Sequence, residues 1–139
     1  MDRTKTNSID VALLILRIGL GVIFMAHGAQ KLFGAFGGSG LAATVEHMGS
    51  LGYLVSVGEF FGGLGILLGF LSRFSGASLV VIMIGAIVQV HGANGFFGSS
   101  KGYEYNLALM AMAATILIAG PGRLAMAKLF PAKALPYLE

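Results

Sequence analysis

Four apolar blocks, at residues 11–33, 51–71, 74–90 and 105–119, constrain this chain more than any other feature. A perpendicular transmembrane helix needs about 20 apolar residues, within a range of roughly 17–25. The first two blocks meet that length, and the last two meet it by borrowing flanking residues. Only 11% of the residues are charged, against about a quarter in a soluble domain. That is too little charge to cover a water-facing surface. The chain therefore reads as one all-α domain, residues 1–139, built as an integral membrane four-helix bundle.

The block boundaries carry ordinary helix signals. Asn7, Ser8 and Asp10 are N-cap candidates for the first span. Leu71-Ser72-Arg73-Phe74 is a short connection, so the second and third spans should be antiparallel neighbours. Pro121-Gly122 stops the fourth. Residues 124–130 then read as a short C-terminal interfacial helix, with Arg123 and Lys128 among the headgroups. Gly58, Gly62, Gly65 and Gly69 recur at helical spacing on one stripe of the second span, where a neighbouring helix can come close. Gly38 falls in a loop and is expected to tolerate a larger residue better than Gly62 does.

The net charge of +3 is carried mainly at span ends. This favours anionic lipid headgroups as partners and argues against nucleic acid. There is no cysteine, which excludes disulfides, thiolate metal sites and iron–sulfur ligation by this chain, and no haem-attachment motif is present. With both termini cytoplasmic, Arg3, Lys5, Arg73, Arg123, Lys128 and Lys133 lie inside, and only Lys31 and Lys101 flank the outer side. The positive-inside rule selects that orientation.

An internal echo is visible. His27-Gly28-Ala29-Gln30-Lys31-Leu32-Phe33-Gly34 resembles His91-Gly92-Ala93-Asn94-Gly95-Phe96-Phe97-Gly98. Two parallel two-helix repeats would place His27 and His91 at equivalent positions; chance similarity between Gly- and Ala-rich strings is the alternative.

Glu59 is the most costly residue in the apolar blocks, because a charged group at the centre of a spanning helix costs about 2.5–3.5 kcal/mol or more. It needs a partner, a proton or a function. The topology places Glu59, His27, His91 and Glu104 in the outer half, and these four are expected to line one polar pocket. Lys31, Gln89, Tyr103 and Asn106 are expected on its rim. Imidazoles and carboxylates together can move protons, bind the carbonyl oxygens of a quinone, or ligate a first-row metal. Glu59 and His27 are the catalytic candidates. His27, Lys31, Glu59, Gln89, His91, Glu104 and Arg17 are the cofactor-binding candidates. A metal would draw on His27, His91, Glu59 and Glu104, although no single helix carries a paired-ligand motif. The plainer readings are that Glu59 fastens helices and that the histidines donate to backbone carbonyls at the membrane interface. Arg17, in the cytoplasmic half, either snorkels to lipid phosphate or pairs with Glu59.

The ordered set Leu16-Arg17-Ile18-Gly19-Leu20-Gly21, His27-Gly28, Gln30-Lys31-Leu32-Phe33-Gly34, Glu59-Phe60-Phe61-Gly62-Gly63, Gly69 and Arg73 resembles the DoxX family of small bacterial membrane proteins. The resemblance runs from Leu13 to about Gly122, and His91 and the stretch Gly102-Tyr103-Glu104-Tyr105-Asn106 follow the pattern too. It implies a four-helix inner-membrane protein. Relatives include a DoxD-type subunit linked to thiosulfate:quinone oxidation, and others are associated with membrane redox and oxidative-stress complexes. The matching residues Arg17, His27, Lys31, Glu59 and Arg73 come under suspicion as site residues on that ground.

Three functional readings follow. The first is a quinone-linked redox subunit whose electrons come from a membrane or peripheral partner subunit or a bound metal. The second is a transport or binding protein for a small solute, protons or metal, which as four helices would need a homo-oligomer to line a path. The third is a non-catalytic anchor in a larger complex. The charge bias supplies a direct test of orientation: reporter fusions at Glu139 and within residues 35–39 should report opposite sides, with Glu139 cytoplasmic. A periplasmic signal at Glu139 would overturn the topology.

Overall fold

The computed structural model describes residues 7–139. Arg3 and Lys5, which contribute to the charge bias, lie outside the described residues. Helix α1 spans Ser8–Phe33, α2 Gly40–Met48, α3 Leu51–Leu68, α4 Ser72–Ala86, α5 Glu104–Ala119 and α6 Leu135–Leu138. The last turn of α4 widens into a π turn at Ile87–His91 and ends in a 3-10 turn at Gly92–Asn94. The described residues form an all-helical bundle. Three of its helical stretches, Ser8–Phe33, Leu51–Leu68 and Ser72–Asn94, are long and apolar enough to cross a membrane, and Glu104–Ala119 is a shorter apolar helix.

Local chemistry sets the ends. Asn7 and Asp10 cap α1 reciprocally: the Asn7 side chain accepts from the Asp10 N–H at 2.9 Å, and Asp10 Oδ2 accepts from the Asn7 N–H at 3.0 Å. Helix α3 stops at Gly69, whose φ of 71° places it in the left-handed region that glycine enters without steric cost. The third span begins earlier than its apolar run implies, at Ser72. The surface piece expected at residues 124–130 is a 3-10 turn, Met126–Leu129. Helix α2 was not expected at all. Its signal was the spacing of Leu41, Val45 and Met48 on one face, too short a run to register as a membrane span. It packs on α3 and α1, with Gly52 of α3 facing the backbone of Thr44 and Val45.

Helices α1 and α3 pair closely, as do α4 and α5, and the two pairs join through α3 and α4. The core between them is made by Leu20 and Phe24 of α1, Ile66 of α3, Leu79 and Met83 of α4, and Leu109, Ala113 and Ile116 of α5. The outer faces are apolar as well, with Ile15, Val22, Leu54, Phe61, Phe74, Val81 and Val88 exposed. Apolar residues inside and out suit a bundle surrounded by hydrocarbon.

The echo between residues 27–34 and 91–98 does not carry into the structure. His27 is followed by unbroken helix as far as Phe33, whereas His91 closes a π turn and leads into loop. Gly28 meets the backbone of a neighbouring helix, whereas Gly92 meets only the carbonyl of Ile87.

The glycine stripe also does something other than expected. Gly58 and Gly62 meet the side chains of Ile82 and Leu79, not the backbone of α4. The close backbone approach belongs to α1 and α3. A Cβ on Gly28 would lie 2.3 Å from the Phe60 nitrogen, and one on Gly63 would lie 2.6 Å from the Met25 nitrogen. Gly38 is not a tolerant loop position either, since a Cβ there would lie 2.4 Å from the Gln30 carbonyl oxygen. Backbone cannot yield as a side-chain tip can. Gly28→Ala should therefore lower stability in detergent by about 1–3 kcal/mol. Gly62→Ala, which meets only Leu79 at 3.2 Å, should cost less, and Gly38→Leu should be worse than Gly62→Leu. Thermal unfolding of the four variants checks that order. Equal losses for Gly28→Ala and Gly62→Ala would refute the α1–α3 contact as the tight one.

Candidate functional site

The approach of α1 to α3 at Gly28 and Phe60 determines what stands beside Glu59. His27 and Glu59 each precede one of these touching residues, so they share a level in the bundle. One turn further along α1, Lys31 reaches across, and its Nζ donates to Glu59 Oε2 at 2.5 Å. The Glu59 side chain is 6% exposed and that of Lys31 26%. Glu59 lies eight residues into α3, about 12 Å from its start at 1.5 Å per residue. The ammonium brings its positive charge in on a long stem from the loop end. The pair is neutral overall, which is the form of two charges that a low-dielectric interior tolerates best.

Two further groups stand at this level. Gly58 and Gly62 pack on Ile82 and Leu79, so Met83 of α4 sits at the height of Glu59. Asn106 of α5 donates from Nδ2 to the Met83 sulfur at 3.6 Å. Asn106 is 6% exposed, and its Oδ1 is buried with no hydrogen-bond partner among the described residues. The ring of His27 lies 6.4 Å from that of Tyr105 at an interplanar angle of 57°. Among the described residues neither His27 ring nitrogen makes a hydrogen bond. The layer thus holds one ion pair, one uncommitted imidazole and one unmet amide oxygen.

The other candidates lie elsewhere. His91 Nδ1 is bonded to the Lys101 carbonyl at 2.8 Å, at the loop end. Glu104 Oε1 accepts from the Gly98 N–H at 2.5 Å. Gln89 is exposed on the π turn, and Tyr103 packs edge-on against Phe96. The pocket expected from His27, Glu59, His91 and Glu104 does not assemble, because the backbone of the loop at residues 92–102 takes up His91 and Glu104. Among the described residues no three His, Asp or Glu side chains are placed to hold a metal ion.

Arg17 neither snorkels nor meets Glu59. It is 2% exposed, and its guanidinium donates to four carbonyls: Ile66 and Leu67 of α3 at 2.9 Å each, Pro121 at 2.9 Å and Leu124 at 2.7 Å. These include orphan carbonyls at the end of α3, which a planar five-donor fork is suited to collect. Arg73 does similar work for α5, donating from Nη1 to the carbonyls of Leu117 and Ile118 at 2.9 Å each. Both arginines thus hold backbone carbonyls at a helix end, Arg17 buried and Arg73 exposed. Sequence reasoning placed Asn106 at a rim, whereas it lies inside. It did not single out Met83 or Tyr105, since an apolar methionine and an interfacial tyrosine give no signal until the helices are docked.

A groove of about 350 Å³ runs along the lipid-facing side of α3 and α4, over Gly58, Phe61, Gly62, Gly65 and Phe74. It is apolar and touches none of the polar layer.

The fold and the site together define a small helical membrane protein in which a largely buried glutamate pairs with a lysine between two apolar helices. The chain belongs to the DoxX family, whose profile matches residues 12–92, more than half of its length. It is also similar to a protein of Bacillus subtilis (strain 168) described as "Putative oxidoreductase CatD", at 29% identity over 112 residues, covering 76% of this chain and 78% of the relative. No solved structure matches the chain.

The pair can be tested on its own. Lys31→Met should destabilise the protein by about 2 kcal/mol, less than the roughly 3–5 kcal/mol of a wholly buried pair. Lys31 reaches partly out of the bundle, so the pair is not wholly buried. Adding Glu59→Leu to Lys31→Met should restore most of the loss in a denaturation series. A double variant no more stable than Lys31→Met alone would show that the pair is not what couples α1 to α3.

Proposed function

We propose that this DoxX-family protein is a redox-associated subunit of the bacterial inner membrane that binds a quinone in the layer of His27, Glu59 and Asn106. The observation that carries this reading is the coexistence of a Lys31–Glu59 ion pair, between helices apolar enough to span a membrane, with polar groups that have no partner among the described residues. Buried polar groups are normally bonded. The buried Asn106 oxygen, without a donor among the described residues, and the half-buried His27 imidazole beside the same layer are what a polar ligand from the bilayer would satisfy. The name borne by the Bacillus relative adds an oxidoreductase to the same side of the argument.

In this reading His27 hydrogen-bonds a ligand oxygen through whichever ring nitrogen faces it. Glu59 Oε2 is held by Lys31, which leaves Oε1 to exchange a proton with the ligand or with His27. Lys31 holds the carboxylate in place and limits the charge that builds up when the proton leaves. A bound quinone would supply the two-electron chemistry that no side chain here offers. With no cysteine in the chain to relay them, the electrons would come from a partner subunit or a bound metal. With the termini cytoplasmic, the layer lies in the outer leaflet. Of the first candidate set, His91, Glu104, Gln89 and Arg17 have no part in this version, because each is engaged elsewhere or faces away.

Gently purified protein should carry a quinone detectable by extraction and mass spectrometry. Glu59→Gln should fold with near-normal stability yet lose that ligand and fail to complement a deletion strain. A Glu59→Gln protein normal in stability, ligand content and complementation would sink the functional role of Glu59 and leave the anchor reading.

A further inference from the structure

The bundle is not closed equally on all sides. Helices α1 and α3, α3 and α4, and α4 and α5 pack along their lengths, whereas α1 and α5 touch only lightly. That seam is the weakest wall of the bundle, and in a membrane it faces lipid. His27 of α1 and Tyr105 of α5 stand on it, rings tilted and not bonded to each other. Tyr105 is 48% exposed. The next residue, Asn106, points inward and is buried.

The orientation of the Asn106 amide follows from its neighbour. A thioether sulfur accepts a hydrogen bond weakly and cannot donate one. The atom resting on Met83 Sδ must therefore be the NH₂ group, and the atom left over is Oδ1. An oxygen can only accept. Whatever satisfies Oδ1 must bring an O–H or N–H, while the second N–H of the amide stays available to an acceptor. An oxidised quinone offers two carbonyl acceptors, which can take that N–H and leave Oδ1 unmet. A quinol offers two hydroxyls.

We propose that the α1–α5 seam is the lateral access to the site, and that Asn106 is a binding residue whose Oδ1 accepts a ligand hydroxyl, so that the site holds the reduced quinol in preference to the quinone. This rests on the quinone reading above and adds to it the redox form that the site selects. His27, at the seam, bonds an oxygen of the same ring, acting as donor or acceptor according to its tautomer. Asn106 lies beyond the stretch matched by the family profile, which ends at residue 92.

The experiment is anaerobic equilibrium dialysis of the full chain in detergent with decylbenzoquinol and, separately, with decylbenzoquinone. Wild type should bind the quinol about tenfold more tightly, the worth of one hydrogen bond to a buried acceptor. Asn106→Leu, or Asn106→Ala should the bulkier variant not fold, should lose that preference by weakening the quinol and leaving the quinone unchanged. Equal binding of both forms to wild type overturns the proposal and leaves the quinone site standing. So does a variant that keeps the preference. If neither form binds wild type, the quinone reading itself falls.

Discussion

The contact on which the rest depends is the approach of α1 to α3 through Gly21, Gly28 and Gly63. In lipid there is little hydrophobic drive between helices, so backbone proximity and the dispersion it allows become a main source of association. Here that proximity also decides chemistry. With Gly28 against the Phe60 backbone, a lysine one turn along α1 can reach a carboxylate otherwise enclosed in the bundle. A bulkier residue at position 28 would push the helices apart and leave Glu59 without its cation. Packing and electrostatics are thus one constraint seen at two positions.

The two ends of the bundle are built on different principles. At the end where α3 and α5 stop, backbone groups are collected by side chains. Arg17 and Arg73 gather carbonyls, and Asp10 Oδ1 accepts the Arg123 N–H at 2.9 Å. The main chain of the last residues joins in, with the carbonyls of Leu138 and Glu139 accepting from Leu71 and Arg73 at 2.6 Å each. The other end is closed by short elements: α2 over α1 and α3, and the loop at residues 92–102 pinned by His91 and Glu104. In the orientation of the charge bias, the end built from arginine and carbonyl is the cytoplasmic one, and the site lies toward the end made of short helices and loop.

Much of this was legible before the helices were docked. Block length and lack of charge specify spanning helices, and the cost of a carboxylate in hydrocarbon singles out Glu59. What was not legible depended on rotation and register. His27, His91, Glu59 and Glu104 lie at similar depth by residue count, but depth does not say which way a side chain points or whether loop backbone will claim it first. The π turn at Ile87–His91 shifts the end of the third span off the regular helical phase, which no periodicity argument anticipates. Arg17 misled for a related reason. A buried arginine among apolar residues suggests a ligand or an acid, but four carbonyls from two separate segments serve as well, and those segments meet only in three dimensions. Gly62 and Gly38 exchanged roles because a stripe of small residues shows where a neighbour could come close, not where one does.

The polar layer also bears on how such a chain can be both insertable and responsive. Glu59 and Lys31 stand on different helices, and they can meet only once α1 and α3 have paired. The pair therefore reports a correctly docked half-bundle. Asn106 on α5 is satisfied only on its nitrogen side, by a weak acceptor on α4, so docking of the second helix pair leaves one acceptor over. An oxygen left unmet in a low-dielectric interior makes the apo bundle less stable than its packing alone would allow. Any ligand that supplies the missing donor recovers that free energy as affinity, and does so between α1 and α5, where the protein packs least against itself. In the proposed reading the light α1–α5 contact and the unmet oxygen are one feature: the least-packed wall of the bundle stands in front of the group that a ligand from the membrane would complete.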